Sequence, residues 1–236
     1  MSRRLVLGLS IGFNIIFIAF LISKRFYYHQ LSVDSSKKSS NDSLVSYTVN
    51  KYQYNRIQVD IFKMLPHSKT DIVFLGTSLT QGFPLQEIFK NCRLENRGIG
   101  GNTITDISNR LYEVTDGHPA KLFLEMGTND IGNKVPIDTM LNHFKKIIET
   151  VKKKTPSTKI YVQSVLPFGK DNIKEIELYN HSIEKYCSKN HITYINMFPL
   201  FLQKNSINPN LTTDGTHLNS KGYFIWAEKT RGYIDQ

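Results

Sequence analysis

The chain is short of cysteine, of acidic residues and of phosphate-cradling loops, and each shortage removes a class of function. Two of its 236 residues are cysteine, Cys92 and Cys187. No C-x-x-C occurs, so neither a disulfide framework nor a thiolate metal or redox site is indicated, and both thiols read as small buried groups. Acidic residues number 20 against 30 Lys and Arg, a formal charge of +10. Such a balance suits anionic lipid surfaces or acidic glycans. The basic residues show no nucleic-acid motif and no interleaved aromatic stripe, so nucleic acid is not an expected partner. Lys152-Lys153-Lys154 reads as the end of a helix, beside the negative end of its dipole. No Gly-Lys-Ser/Thr loop and no G-x-G-x-x-G with a following acid is present, which removes P-loop and dinucleotide chemistry.

Long uncharged runs are also scarce, and the one present lies at the start. Residues 5–22 carry no charge, with Arg3 and Arg4 before them and Lys24 and Arg25 after. As a helix this run spans roughly 27 Å, close to the hydrocarbon thickness of a bilayer. It is longer than a signal-peptide core, and Phe20-Leu21-Ile22-Ser23-Lys24 offers no A-x-A cleavage pattern. The expectation is an uncleaved single-pass membrane anchor at 5–22 behind a stub at 1–4. Cations at both ends leave the positive-inside rule undecided. The short stub favours a cytoplasmic N-terminus and an extracytoplasmic domain. Residues 23–49 are rich in Ser, Asn, Asp and Lys, cannot bury a core, and read as a flexible linker. The folded domain is expected over 50–236. There, 24 basic residues stand against 18 acidic ones.

Within that domain short apolar runs alternate with helix-like stretches. Ile72–Leu75, Arg93–Asn96, Leu122–Met126, Ile160–Val165 and Tyr194–Met197 read as strands. Helical periodicity marks 84–90, 103–113, 137–154, 174–190 and 219–232. Tyr52, Ile57, Ile61, Phe62 and Leu65 suggest a leading amphipathic helix. The strand runs are continuous rather than alternating, as in a parallel sheet covered on both faces. The pattern predicts an α/β fold, a three-layer α/β/α sandwich with about five parallel strands. In such sheets function gathers beyond the carboxyl ends of the strands.

Four short strings fall at those ends. Gly76-Thr77-Ser78-Leu79-Thr80 follows the first strand and supplies a hydroxyl. Asn96-Arg97-Gly98-Ile99-Gly100-Gly101-Asn102-Thr103 follows the second and supplies backbone N–H groups in a glycine-rich turn. Gly127-Thr128-Asn129-Asp130 follows the third and supplies a side-chain amide. Asp214-Gly215-Thr216-His217-Leu218-Asn219 lies after the fifth, with carboxylate and imidazole three residues apart. Each has an ordinary reading by itself: a helix N-cap, a tight turn, an Asx turn, and half of a metal site. A serine becomes a nucleophile when a base takes its proton, and the base needs a third group to orient it. Backbone and amide N–H groups can hold the oxyanion that follows. The first string is not G-x-S-x-G, since Thr80 stands at the second glycine, so the α/β-hydrolase elbow fits poorly. Asp130 reads as a loop brace, and His118, His143, His181 and His191 as surface or structural residues.

Taken together, the four ordered strings resemble the SGNH hydrolases, or GDSL esterase/lipase family, over residues 71 to about 230. The glycine-rich block with Asp214–Asn219 is similar to the acetylhydrolase-like branch. The resemblance implies a flavodoxin-like fold and serine ester hydrolysis with no cofactor and no metal. It implies Ser78 as nucleophile, His217 as general base and then acid, and Asp214 as its orienter. The oxyanion hole would comprise the N–H groups of Ser78 and Gly101 and the side chain of Asn129. Two departures stand out: Thr77 where the family usually has Asp, and Asn102 where Gly-Gly-Asp is usual. The implied substrate is an acylated glycan or a lipid, with O-acetyl or short-acyl envelope glycan esters ahead of lysophospholipids. Thioester hydrolysis, transfer to a sugar, and an inactive binding protein are the alternatives.

Overall fold

The structure is a computed structural model and describes residues 53–235. The expected anchor at 5–22 and linker at 23–49 lie outside these residues. No helix among the described residues is long and apolar enough to cross a membrane. The chain divides into two units, Met1–Tyr54 and Asn55–Gln236, and the second holds the fold that follows.

Five parallel strands form the sheet: β1 (Ile72–Gly76), β2 (Leu94–Gly98), β3 (Lys121–Leu124), β4 (Lys159–Gln163) and β5 (Thr193–Ile195), in the order β2-β1-β3-β4-β5. This is the flavodoxin-like order, with its topological switch between β1 and β3. Successive side chains of β1 point to opposite faces and both faces are buried. Val73 and Leu75 pack with one core cluster, and Ile72 and Phe74 with the other. The register sets Phe74 beside Phe123, and Phe123 beside Tyr161. Their rings stack at 4.3 and 4.6 Å between centroids, an aromatic row across three strands.

A helix over 53–64 (α1) leads in. Then follow α2 (Ser78–Gln81), α3 (Leu85–Phe89), α4 (Ile104–Asn109), α5 (Tyr112–Thr115), α6 (Thr128–Gly132), α7 (Ile137–Lys154), α8 (Ile173–Lys189), α9 (Phe198–Phe201) and α10 (Ser220–Ile234). On α7, Met140, Phe144, Ile147, Ile148 and Val151 are buried at helical spacing, and the three lysines end it as expected. With α4 and α8 it covers the Val73 face; α9 and α10 cover the Phe74 face.

Three expectations are corrected. The helix over 103–113 is two pieces, because the chain leaves the helical region at Arg110. The Arg110 side chain turns beneath the loops described below. Cys92 is exposed, in the polar turn Lys90-Asn91-Cys92-Arg93, while Cys187 is buried. The apolar stripe of α1 is not a core face: Phe62 is buried against the Arg97 guanidinium, 5.0 Å from its ring centre, but Ile57, Ile61 and Leu65 are exposed.

Candidate active site

Ser78 lies two residues past the end of β1 and opens α2, with Thr77 rather than Ser78 at the N-cap position. In a first helical turn the backbone N–H has no acceptor within the helix. Ser78 Oγ lies 3.0 Å from His217 Nε2, across 139 positions of chain. His217 Nδ1 lies 2.7 Å from Asp214 Oδ2. Asp214 Oδ1 also accepts from the backbone N–H groups of Thr216 at 3.0 Å and His217 at 2.8 Å. The turn depends on Gly215, whose φ of +89° suits glycine. Thr212 Oγ1 donates to the His217 carbonyl at 2.7 Å, and Asn219 caps α10 by accepting from Gly222 N–H. The imidazole is thereby held from its backbone as well as its ring.

These bonds favour the ionised Asp214. The His217 ring, then the backbone N–H groups, draw its carboxyl down to about 2. An ionised Asp214 keeps the Nδ1 proton on its own side and leaves the Nε2 lone pair toward Ser78. The His217 and Asp214 side chains are 46% and 54% exposed, so the pair sits in an open site.

The other two strings arrive beside Ser78. A β-carbon on Gly100 would sit 3.6 Å from Ser78 Cβ. Gly100 N–H donates to Gln81 Oε1 at 3.0 Å, and Asn55 Nδ2 donates to the Gly100 carbonyl at 3.3 Å. Gly101 turns the chain at φ +76°. Asn129 Nδ2 donates one proton to the Asn102 carbonyl at 2.8 Å; an amide nitrogen has two. Ser78, Gly101 and Asn129 are all half-buried. All five sequence-predicted residues therefore stand on loops or first helical turns at one end of the sheet, and Asp130 does brace a loop, accepting from Ile104 N–H at 3.0 Å.

Several supporting residues carried no sequence signal. Arg110, 4% exposed, donates to Asn102 Oδ1 at 2.7 Å, to the Gly76 carbonyl at 3.0 Å and to Glu113 at 3.2 Å. It ties the serine loop to the glycine-rich loop, and burial pushes the Glu113 carboxyl up even so. Glu125, read as part of an apolar strand, is 2% exposed and lies under Thr77. Tyr223 on α10 donates to the Leu79 carbonyl at 3.0 Å, fastening the histidine side of the site to the serine side. None of these stands in a motif; helical or strand periodicity explains their placement equally well as ordinary core or surface positions. No three His, Cys, Asp or Glu side chains among the described residues are grouped to hold a metal ion.

The fold has counterparts among known proteins. A structure from Streptococcus pneumoniae named for platelet activating factor is 24% identical, covers 83% of this chain and 100% of its own, and superposes with a TM-score of 0.76. A GDSL-like lipase of Bacteroides thetaiotaomicron is 24% identical over 77% of this chain and 97% of its own, with a TM-score of 0.70. An acetyl-xylooligosaccharide esterase of Geobacillus stearothermophilus is 18% identical over 72% and 96%, with a TM-score of 0.59. These likenesses show the fold. An N-acylneuraminate cytidylyltransferase of Escherichia coli is 28% identical over 194 residues, 72% of this chain. The chain spans 44% of that relative, less than half its length. The GDSL-like lipase/acylhydrolase family model matches residues 74–225, from β1 into α10 and through all four strings. The chain belongs to the GDSL-like lipase/acylhydrolase family.

Proposed function

We propose that the chain hydrolyses carboxylic esters by acyl transfer through Ser78, acting on O-acetyl or short-acyl esters of cell-envelope glycans. The observation that carries the catalytic assignment is the continuous chain from Ser78 Oγ through the His217 ring to Asp214, with bonds of 3.0 and 2.7 Å. Ser78 Oγ attacks the ester carbonyl while His217 Nε2 takes its proton, and Asp214 stabilises the imidazolium. The tetrahedral oxyanion is met by the N–H groups of Ser78 and Gly101 and the second amide proton of Asn129. His217 then protonates the leaving alcohol. Water, deprotonated by the same ring, attacks the acyl-enzyme and frees the acid.

The open setting of His217 and Asp214 supports a large, solvent-borne alcohol portion rather than an engulfed one. One fold neighbour is named as an acetyl-xylooligosaccharide esterase, which supports a sugar ester. The uncharged run at 5–22 supports an anchored domain outside the cytoplasm. The test is a series of p-nitrophenyl esters of increasing acyl length, together with an O-acetylated oligosaccharide and a lysophospholipid. A sharp preference for acetyl and release of acetate from the oligosaccharide is expected. A rate that rises with chain length moves the substrate to lipids. Protease accessibility in intact cells checks the topology.

A further inference from the structure

Glu125 is a carboxylic acid in a place where the chemistry proposed above gives it no task. It follows β3 directly, and parallel pairing sets the end of β3 beside the end of β1, with Glu125 N–H donating to the Leu75 carbonyl at 3.1 Å. Its side chain reaches under the serine turn. Oε2 accepts from Thr77 N–H at 3.0 Å, from Thr77 Oγ1 at 2.8 Å and from Thr80 Oγ1 at 3.1 Å. Thr77 precedes Ser78 and Thr80 follows it by two, so one oxygen clasps the turn from both sides. All the partners are buried. The fit is close: a β-carbon on Gly76 would come within 2.9 Å of Oε2. Burial pushes the carboxyl up, opposed by the Thr77 and Thr80 bonds and by a weaker pull from Thr128 Oγ1. Glu125 Oε1 and Thr128 Oγ1 are both buried without a hydrogen bond of ordinary length. A buried carboxyl with one oxygen unpaired is costly, so folding stability alone does not explain its retention in place of an apolar residue.

We propose that Glu125 is a positioning residue for the reaction. Its Oε2 sets the Thr77–Thr80 turn so that Ser78 Oγ faces His217 and Ser78 N–H faces the oxyanion. Because Thr128 precedes Asn129, the same carboxyl sits between two of the three loops that supply oxyanion donors. Glu125 touches no reacting atom; it acts through Ser78, and the inference rests on Ser78 being the nucleophile.

Three variants of the full chain test it, assayed on p-nitrophenyl acetate with the rate of Ser78 labelling by a fluorophosphonate as a second readout. Glu125→Gln keeps an acceptor oxygen at the clasp and is expected to hold kcat within about threefold of wild type. Glu125→Ala removes the clasp and is expected to lower kcat and the labelling rate about 100-fold, with KM changed less than threefold and labelling still going to completion. Thr77→Ala deletes one of the three donors, leaves no large cavity, and is expected to lower kcat about tenfold. This last variant decides the matter should Glu125→Ala fail to fold. Wild-type kcat in folded Glu125→Ala, or in Thr77→Ala, overturns the inference. So does a loss that appears only as a smaller labelled fraction, the mark of a merely structural role. Failure of the fluorophosphonate to label Ser78 in the wild type would instead remove the underlying mechanism.

Discussion

The two ends of the sheet are built from the same five strands and differ in how their polar groups are held. At the amino end a cavity of about 590 Å³ opens among Lys69, Arg93, His118, Lys121, Lys159 and Asp235. The register lines up Ile72, Lys121 and Lys159 across three strand starts. Of the lining lysines and arginine, Lys121 is the one held among the described residues, its Nζ donating to the carbonyls of Tyr233 and Ile234 at 2.9 and 2.8 Å. At the carboxyl end the polar groups are tied together under the surface by Glu125, Arg110 and Asp130, each joining two loops. The difference teaches that an open cavity alone does not mark where polar groups are wired together in this fold. Buried polar wiring, which costs free energy to install, marks the end that must hold geometry.

Five variants break or sharpen that contrast. The largest effect is expected from Ser78→Ala, which should lower kcat on p-nitrophenyl acetate about 10⁴-fold or more. Lys159→Ala, at the other end, should leave kcat within about twofold. Equal losses in the two variants would dissolve the contrast. Asn129→Ala removes one oxyanion donor and should lower kcat by about 10²–10³. Lys121→Met should reverse the pattern: urea unfolding should show about 1.5–3 kcal/mol less stability, from loss of bonds to a charged donor, with kcat unchanged. The smallest effect concerns Asp214. Its folded value of about 2 lies below the ordinary carboxyl value of about 3.9, so its contribution is complete above about 4 and fades as pH falls through about 2. The difference in melting temperature between wild type and Asp214→Asn should therefore narrow across that window.

Much of the carboxyl end was legible in the chain itself. Continuous apolar runs such as Ile72–Leu75 announce buried parallel strands, and such sheets gather their loops at one edge. Ser78, Gly101, Asn129, Asp214 and His217 could be named because each sits in a short string beside a strand end. Glu125 and Arg110 could not. Glu125 is embedded in Leu122–Met126, where strand character masks a buried acid. Arg110 lies in a helical stretch where a charged residue normally faces water, and its partners Gly76 and Asn102 are distant in sequence. The four-residue helices α2 and α9 and the two-residue strands Leu202–Gln203 and Ser206–Ile207 are too short to show periodicity. The two departures at Thr77 and Asn102 gain a physical reading from the same network. Where the usual motif places acids, this chain has neutral acceptors and donors; the buried Glu125 bonds directly to Thr77, and the buried Glu113 reaches Asn102 through Arg110.

The Tyr223 bond to Leu79 spans 144 positions. It bears on timing as well as geometry. A ribosome makes the serine turn well before the histidine loop and α10. A chain that has emerged only as far as β5 holds Ser78 without His217 beside it and without the Tyr223 tether. The pairing of Ser78 with His217 therefore follows the emergence and docking of α10 and is not available to a shorter nascent chain.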